Sequence, residues 1–154
     1  MLLFLLRHAE AETQSSSGLD RDRVLTVEGR KQAERIGLHW RAEQLQFDKI
    51  LVSSAKRTRE TISLCLEHSG FLTEVKAEPR LYNADTQTLI DVLLEQEAES
   101  ILMCGHNPSV GELAVRLTGE LVRFTPGTLC AIQLDPWQEN EEIRGHVVFL
   151  KRPE

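Results

Sequence analysis

Arginines and histidines follow three apolar runs in this chain, and their types suit one kind of chemistry. Leu2-Leu3-Phe4-Leu5-Leu6 leads into Arg7 and His8. Lys49-Ile50-Leu51-Val52-Ser53 leads into Ser54 and then Arg57, and Ile101-Leu102-Met103-Cys104 into Gly105, His106 and Asn107. Arginine presents a planar fork that matches phosphate oxygens two at a time. A neutral imidazole can attack phosphorus, and a protonated one can donate to oxygen. Phosphoryl transfer asks a protein mainly for positioning and charge stabilisation. A cationic cluster around a nucleophile meets that demand. The chain has no Gly-rich phosphate loop of the Walker type. No His/Asp/Glu set has a metal-site spacing, so the expected chemistry uses neither metal nor cofactor.

For these residues to meet, the apolar runs must be neighbouring strands. Each run is continuous rather than alternating, as expected of strands buried on both faces of a covered sheet. Helical patterns lie between them. Thr26 is placed to cap a helix bearing Ala33, Ile36, Gly37 and Trp40 at helical spacing. A second runs from Ala55 to about Glu67, and a third from Thr86 to Gln96 with Leu89, Ile90, Leu93 and Leu94 inward. Pro108 opens a fourth, carrying Val110, Leu113, Ala114 and Leu117 and stopping at Gly119. Glu74–Ala77 reads as a short strand. Leu129–Leu134 and Ile143–Leu150 read as a closing hairpin joined by a turn-rich segment. Strand-helix alternation predicts an α/β sheet covered on both faces. Ligands of such sheets bind beyond the carboxyl ends of the strands, which is where Arg7, His8, Arg57 and His106 fall.

Four segments together resemble the histidine phosphatase superfamily, which includes the phosphoglycerate mutases. Leu6-Arg7-His8-Ala9-Glu10-Ala11 is similar to its Arg-His signature, and Arg23-Val24-Leu25-Thr26-Val27-Glu28-Gly29 to its Arg-x-Leu-Thr-x-x-Gly segment. Ser53-Ser54-Ala55-Lys56-Arg57-Thr58-Arg59-Glu60-Thr61 is similar to its Ser-x-x-x-Arg-x-x-x-Thr segment. Gly105-His106-Asn107-Pro108 resembles its second histidine motif, in the form common in SixA-like phosphohistidine phosphatases. The resemblance implies a three-layer α/β/α sandwich with a mostly parallel central sheet, phosphoglycerate mutase-like, over a single domain spanning residues 1–154. It implies that His8 is the nucleophile and passes through a phosphohistidine. Arg7, Arg57 and His106 are then expected to hold the phosphoryl oxygens, with Arg23 and Asn107 contributing to substrate binding.

The resemblance also raises the question of a proton donor. Many members of the superfamily protonate the leaving oxygen with a carboxylate from a Leu-x-Glu segment. Here the corresponding stretch is Arg80-Leu81-Tyr82-Asn83-Ala84-Asp85. Asn83 stands where the acid is expected, and an amide cannot donate a proton in that way. Asp85 is the candidate acid. An alkoxide leaving group needs one, whereas the imidazole of phosphohistidine is protonated near neutral pH, with a pKa of about 6.5. The expected partner is therefore a phosphohistidine-bearing protein. Two alternatives stand beside it: a small phosphorylated molecule hydrolysed by a phosphomonoesterase of the same superfamily, and a non-catalytic phosphate-binding module.

Composition narrows the setting. With 154 residues, 41% hydrophobic and 27% charged, the chain suits one core. A net charge of −6 argues against a broad nucleic-acid surface. Three cysteines, Cys65, Cys104 and Cys130, form no Cys-x-x-Cys pair. They are expected to be reduced thiols in a cytoplasmic protein. The apolar start Met1–Leu6 is too short and too soon followed by Arg7-His8 for a signal peptide. No run has the length of a transmembrane helix.

Overall fold

The computed structural model describes residues 1–154. Six strands form one sheet: β1 (Leu2–Arg7), β2 (Lys49–Val52), β3 (Glu74–Ala77), β4 (Ser100–Gly105), β5 (Leu129–Leu134) and β6 (Gly145–Lys151). Their order across the sheet is β3-β2-β4-β1-β5-β6. β3, β2, β4 and β1 pair in parallel, while β5 and β6 are antiparallel additions. The expected closing hairpin is therefore present, and the sheet is mixed with a parallel majority.

Successive side chains of a strand face opposite ways, and β1 shows why its run is unbroken. Leu3 and Leu5 enter one core; Phe4 and Leu6 enter the other. The first core is covered by α3 (Thr86–Leu94) and α4 (Ser109–Thr118), through Leu89, Leu93, Leu113 and Leu117. The second is covered by α1 (Val27–Ala42) and α2 (Lys56–Ser69), through Ile36, Trp40, Ile62 and Cys65. Two cores flanking one sheet make the three layers. α1 and α2 approach closely because residue 37 is glycine: a Cβ there would lie 2.4 Å from the Cys65 carbonyl oxygen.

Several boundaries differ from expectation, and those of β1, β4 and β2 matter for chemistry. β1 and β4 each run one residue further, to Arg7 and Gly105, which are partners in the parallel ladder. β2 stops at Val52, which frees Ser53 to turn toward β4, its N–H donating to Cys104 O at 3.1 Å. α3 ends at Leu94, before the expected Gln96. No helix is long and apolar enough to cross a membrane.

Candidate active site

The carboxyl ends of β1 and β4 lie side by side, so His8 and His106 do too. Their ring centroids are 5.3 Å apart. Together with Arg7, Arg23, Arg57 and Asn107 they line one cleft of about 240 Å³. Six residues singled out in the sequence, from four segments of chain, thus share one cavity.

The segment holding His8 is fixed from α2. Ala9 N–H donates to Thr61 Oγ1 at 3.1 Å, and that hydroxyl donates to Arg57 O at 2.7 Å. His8 Nδ1 lies 2.7 Å from Ala9 O. A carbonyl only accepts, so Nδ1 carries the hydrogen and, in the neutral ring, Nε2 keeps a free lone pair. Burial, and next to it the surrounding His106, Arg57 and Arg7 charges, pull the His8 pKa down to about 3 against the opposing bond to Ala9. The ring is therefore neutral, as a nucleophile must be.

His106 is set by Ser53, with Nε2 2.8 Å from Ser53 Oγ. That oxygen also accepts the Ala55 N–H at 3.3 Å, and in the tautomer that lets His106 donate from Nδ1 its own hydrogen goes to Nε2. The His106 proton then sits on Nδ1, which is buried without a partner. Burial first, and Arg57 next, lower the His106 pKa to about 4. The Ser53, Arg57 and Thr61 positions of the Ser-x-x-x-Arg-x-x-x-Thr segment thus have separate tasks: orienting one imidazole, supplying a guanidinium, and holding the backbone beside the other imidazole.

Arg7 Nη1 and Asn107 Nδ2 both donate to Phe124 O, each at 2.9 Å. Arg57 donates from Nη1 to Asp20 O at 2.9 Å and from Nη2 to Asp20 Oδ2 at 3.1 Å. Arg23 Nε reaches the other Asp20 oxygen at 2.9 Å. Tyr82 Oη also donates to Asp20, at 2.5 Å, and packs its ring edge-on against His106, with centroids 5.6 Å apart. The Tyr82 bond, then those of Arg57 and Arg23, hold the Asp20 carboxyl far below the usual range. Arg7 Nε, Arg57 Nε and His106 Nδ1 remain buried donors without partners. Each costs about 1–3 kcal/mol unmet, and all three belong to residues that line the cleft.

The loop that brings Arg23 is also held. Leu25 N–H donates to Glu60 Oε1 at 3.2 Å, and Thr26 Oγ1 caps α1 by accepting from Gly29 N. Residue 29 must be glycine because a Cβ would lie 1.9 Å from Glu10 O, which accepts the Thr26 N–H. This accounts for the Leu-Thr-x-x-Gly spacing.

Asp85 is not where an acid is needed, which corrects the expectation. Its carboxylate caps α3, accepting Thr88 N–H at 2.8 Å, and that bond lowers its pKa. It does not line the cleft. Sequence reasoning also passed over Asp20, Tyr82 and Glu10. Glu10 is the carboxylate that does line the cleft, and it accepts from Thr26 Oγ1 at 3.1 Å. No group of three or more His, Cys, Asp or Glu side chains is placed to hold a metal ion.

Comparison with known proteins agrees with this geometry. Residues 3–101 match the model of the histidine phosphatase superfamily (branch 1). A phosphohistidine phosphatase SixA homolog from Haemophilus influenzae is 32% identical over 98% of this chain and 100% of its own. Among solved structures, one described as a phosphohistidine phosphatase SixA from Agrobacterium tumefaciens superposes with a TM-score of 0.86. It is 25% identical and covers 99% of this chain and 98% of that one. The protein histidine phosphatase SixA complexed with tungstate shares the fold, with a TM-score of 0.85 at 23% identity over 99% and 97% of the two chains.

Proposed function

This chain belongs to the histidine phosphatase superfamily, and from that premise we propose that it hydrolyses phosphohistidine on a partner protein, with His8 as nucleophile. The observation that carries the reading is a neutral imidazole with its Nε2 lone pair free, facing a cleft whose lining residues hold three buried, unpartnered donors.

The chemistry follows in two displacements. His8 Nε2 attacks phosphorus in line, and the bond from phosphorus to the substrate's ring nitrogen breaks. That nitrogen takes the electron pair, and the departing imidazole keeps the proton already on its second nitrogen, so no acid is required. Arg7, Arg57 and His106 donate to the equatorial oxygens, where charge gathers. His8 keeps its Nδ1 hydrogen, bonded to Ala9 O, and carries phosphate on Nε2. Water then attacks phosphorus, the electron pair returns to Nε2, and phosphate leaves with the proton that water gives up.

Three features support this substrate class. Asp85 is occupied in capping. Glu10 is engaged by a hydroxyl rather than standing free as an acid. A relative similar over the full chain is named a phosphohistidine phosphatase homolog. The buried, unpaired thiols of Cys65, Cys104 and Cys130 support a reducing cytoplasm as its setting, and that substrate class supports a role in signal transduction. One sheet drawing strands from the whole length supports a single domain over 1–154.

The test is to trap acid-labile phosphate during turnover of a histidine-phosphorylated protein. The label is expected on His8 and is expected to vanish in His8→Ala. Alkyl phosphate esters turned over as fast as the phosphoprotein would overturn the substrate assignment. They would favour a small-molecule phosphatase in which Glu10, the cleft's own carboxylate, gives the proton.

A further inference from the structure

The cleft opens into a larger groove, of about 530 Å³, that the chemistry above does not use. The two cavities share Arg7, Asn107 and Pro126 as walls. Beyond that shared wall the lining changes character, to Val115 on α4 and Leu121, Val122 and Phe124 on the segment that follows. Leu121 is 91% exposed and Val115 39% exposed. Arg123, at the same groove, is exposed and makes no ion pair. We propose that this groove seats the apolar residues beside the phosphorylated side chain of the partner protein, with Arg123 meeting an acidic residue of that partner.

The occupant is fixed by continuity. A phosphoryl group on His8 places the donor's backbone at the cleft mouth, and an extended chain advances only about 3.3–3.6 Å per residue. Neighbouring residues of a macromolecular substrate therefore lie across the groove. A small phosphorylated molecule fills the cleft and leaves the exposed leucine in water. A second copy of this chain seated there would close the cleft mouth. The groove also reaches the chemistry physically. The Phe124 carbonyl accepts from both Arg7 and Asn107, so the segment that lines the groove also ties down the phosphate clamp. The proposal rests on the phosphohistidine reading.

Its test uses Leu121→Asp and Arg123→Glu with three substrates: phosphoimidazole, a phosphohistidine peptide flanked by leucines and an aspartate, and the same peptide flanked by serines. The native protein is expected to prefer the leucine peptide. Leu121→Asp is expected to raise its KM about tenfold, in line with exposing one buried leucine, and to erase the preference over the serine peptide. Arg123→Glu should raise KM for the aspartate-bearing peptide severalfold. Turnover of phosphoimidazole should stay within about twofold of native in both variants. Equal KM for the two peptides in the native chain overturns the proposal, as does a matching loss on phosphoimidazole. A non-hydrolysable phosphohistidine-analogue peptide, titrated by calorimetry, keeps the two claims apart. If no substrate is turned over, the enzymatic reading fails, while a Leu121-dependent affinity for the leucine-flanked analogue still reads the groove, and its absence sinks the groove as well.

Discussion

The two walls of the phosphate cleft are built on different principles. At the strand ends, Arg7, His8, His106 and Asn107 are held by uncharged partners: Phe124 O, Ala9 O and the Ser53 hydroxyl. None of these partners offsets charge. On the other side, Arg23 and Arg57 converge on a single carboxylate, Asp20, which Tyr82 also holds. Asp20 is half exposed on the loop, whereas the Arg57 side chain is 6% exposed. The strand-end wall thus leaves its donors to be answered by substrate. The loop wall arrives already partly neutralised, and its carboxylate sets where the guanidinium groups point. The strand-end wall thus supplies catalysis and the loop wall alignment, with Arg57 serving both.

The hardest blow to that distinction falls on the strand-end wall. His8→Ala is expected to lower turnover by about 10⁴-fold or more, since removing a nucleophile leaves only the positioning contribution. Rapid-quench measurement of phosphoenzyme checks it, and acid-labile phosphate persisting on another residue would break the comparison at its root. Arg57→Ala comes next. Arg57 is shared by both walls, lining the cleft while its Nη atoms hold Asp20. Loss of one such donor costs about 10²–10³ in kcat. Arg57→Lys is expected to recover little, because an ammonium cannot reproduce the fork.

The walls also separate by pH. His8 and His106 are held neutral, with pKa values of about 3 and about 4 against an ordinary value near 6.5. Between those limits the unfolded chain binds more protons than the folded one, so stability rises with pH and is lost on acidification. Going from pH 7 to pH 5 should cost up to roughly 2 kcal/mol for each ring. Asp20, shifted the other way, contributes stability that is fully present above the ordinary carboxylate range and is lost only below it. Over pH 7 to 5, then, only the strand-end wall titrates. Thermal melts across that window should flatten in His106→Gln and stay unchanged in slope in Asp20→Asn. Added phosphate should restore part of the lost stability at pH 5, since a bound anion favours protonated rings.

How much of each wall could be read from the sequence follows the same division. Arg7, His8 and His106 follow continuous apolar runs, and parallel strands carry their ends to one edge, so residue type and position sufficed. The layers were legible for the same reason: Leu3 and Phe4 serve opposite cores, which an unbroken run announces. Asp20 was not legible. In Asp20-Arg21-Asp22-Arg23 the charges alternate, and nothing local marks the carboxylate that reaches Arg57 and Tyr82, 37 and 62 residues away. Asp85 misled because nearness to Asn83 in sequence is not nearness to phosphate. At the start of α3 a carboxylate finds the Thr88 N–H first. The groove around Leu121 went unread because a lone exposed leucine outside any periodic pattern carries no signal by itself.

The smallest expected effect is the one that decides whether alignment is the loop wall's task. Asp20→Asn keeps the shape of the side chain and one oxygen to accept from Arg57 and Tyr82, but gives up the acceptor for Arg23 and removes the charge. If the carboxylate only props the guanidinium groups, binding of inorganic phosphate should not change. If it also tempers their charge, its removal should tighten inhibition by phosphate, by up to about tenfold at low salt, because an anion within reach of both arginines no longer repels the incoming one. Asp20 is exposed, so that gain should shrink toward nothing as ionic strength rises. Asp20→Ala removes prop and charge together and should instead raise KM at every salt concentration. Opposite KM shifts in the two variants would separate alignment from charge within one carboxylate. An unchanged Asp20→Asn beside a salt-independent loss in Asp20→Ala would assign Asp20 to alignment alone.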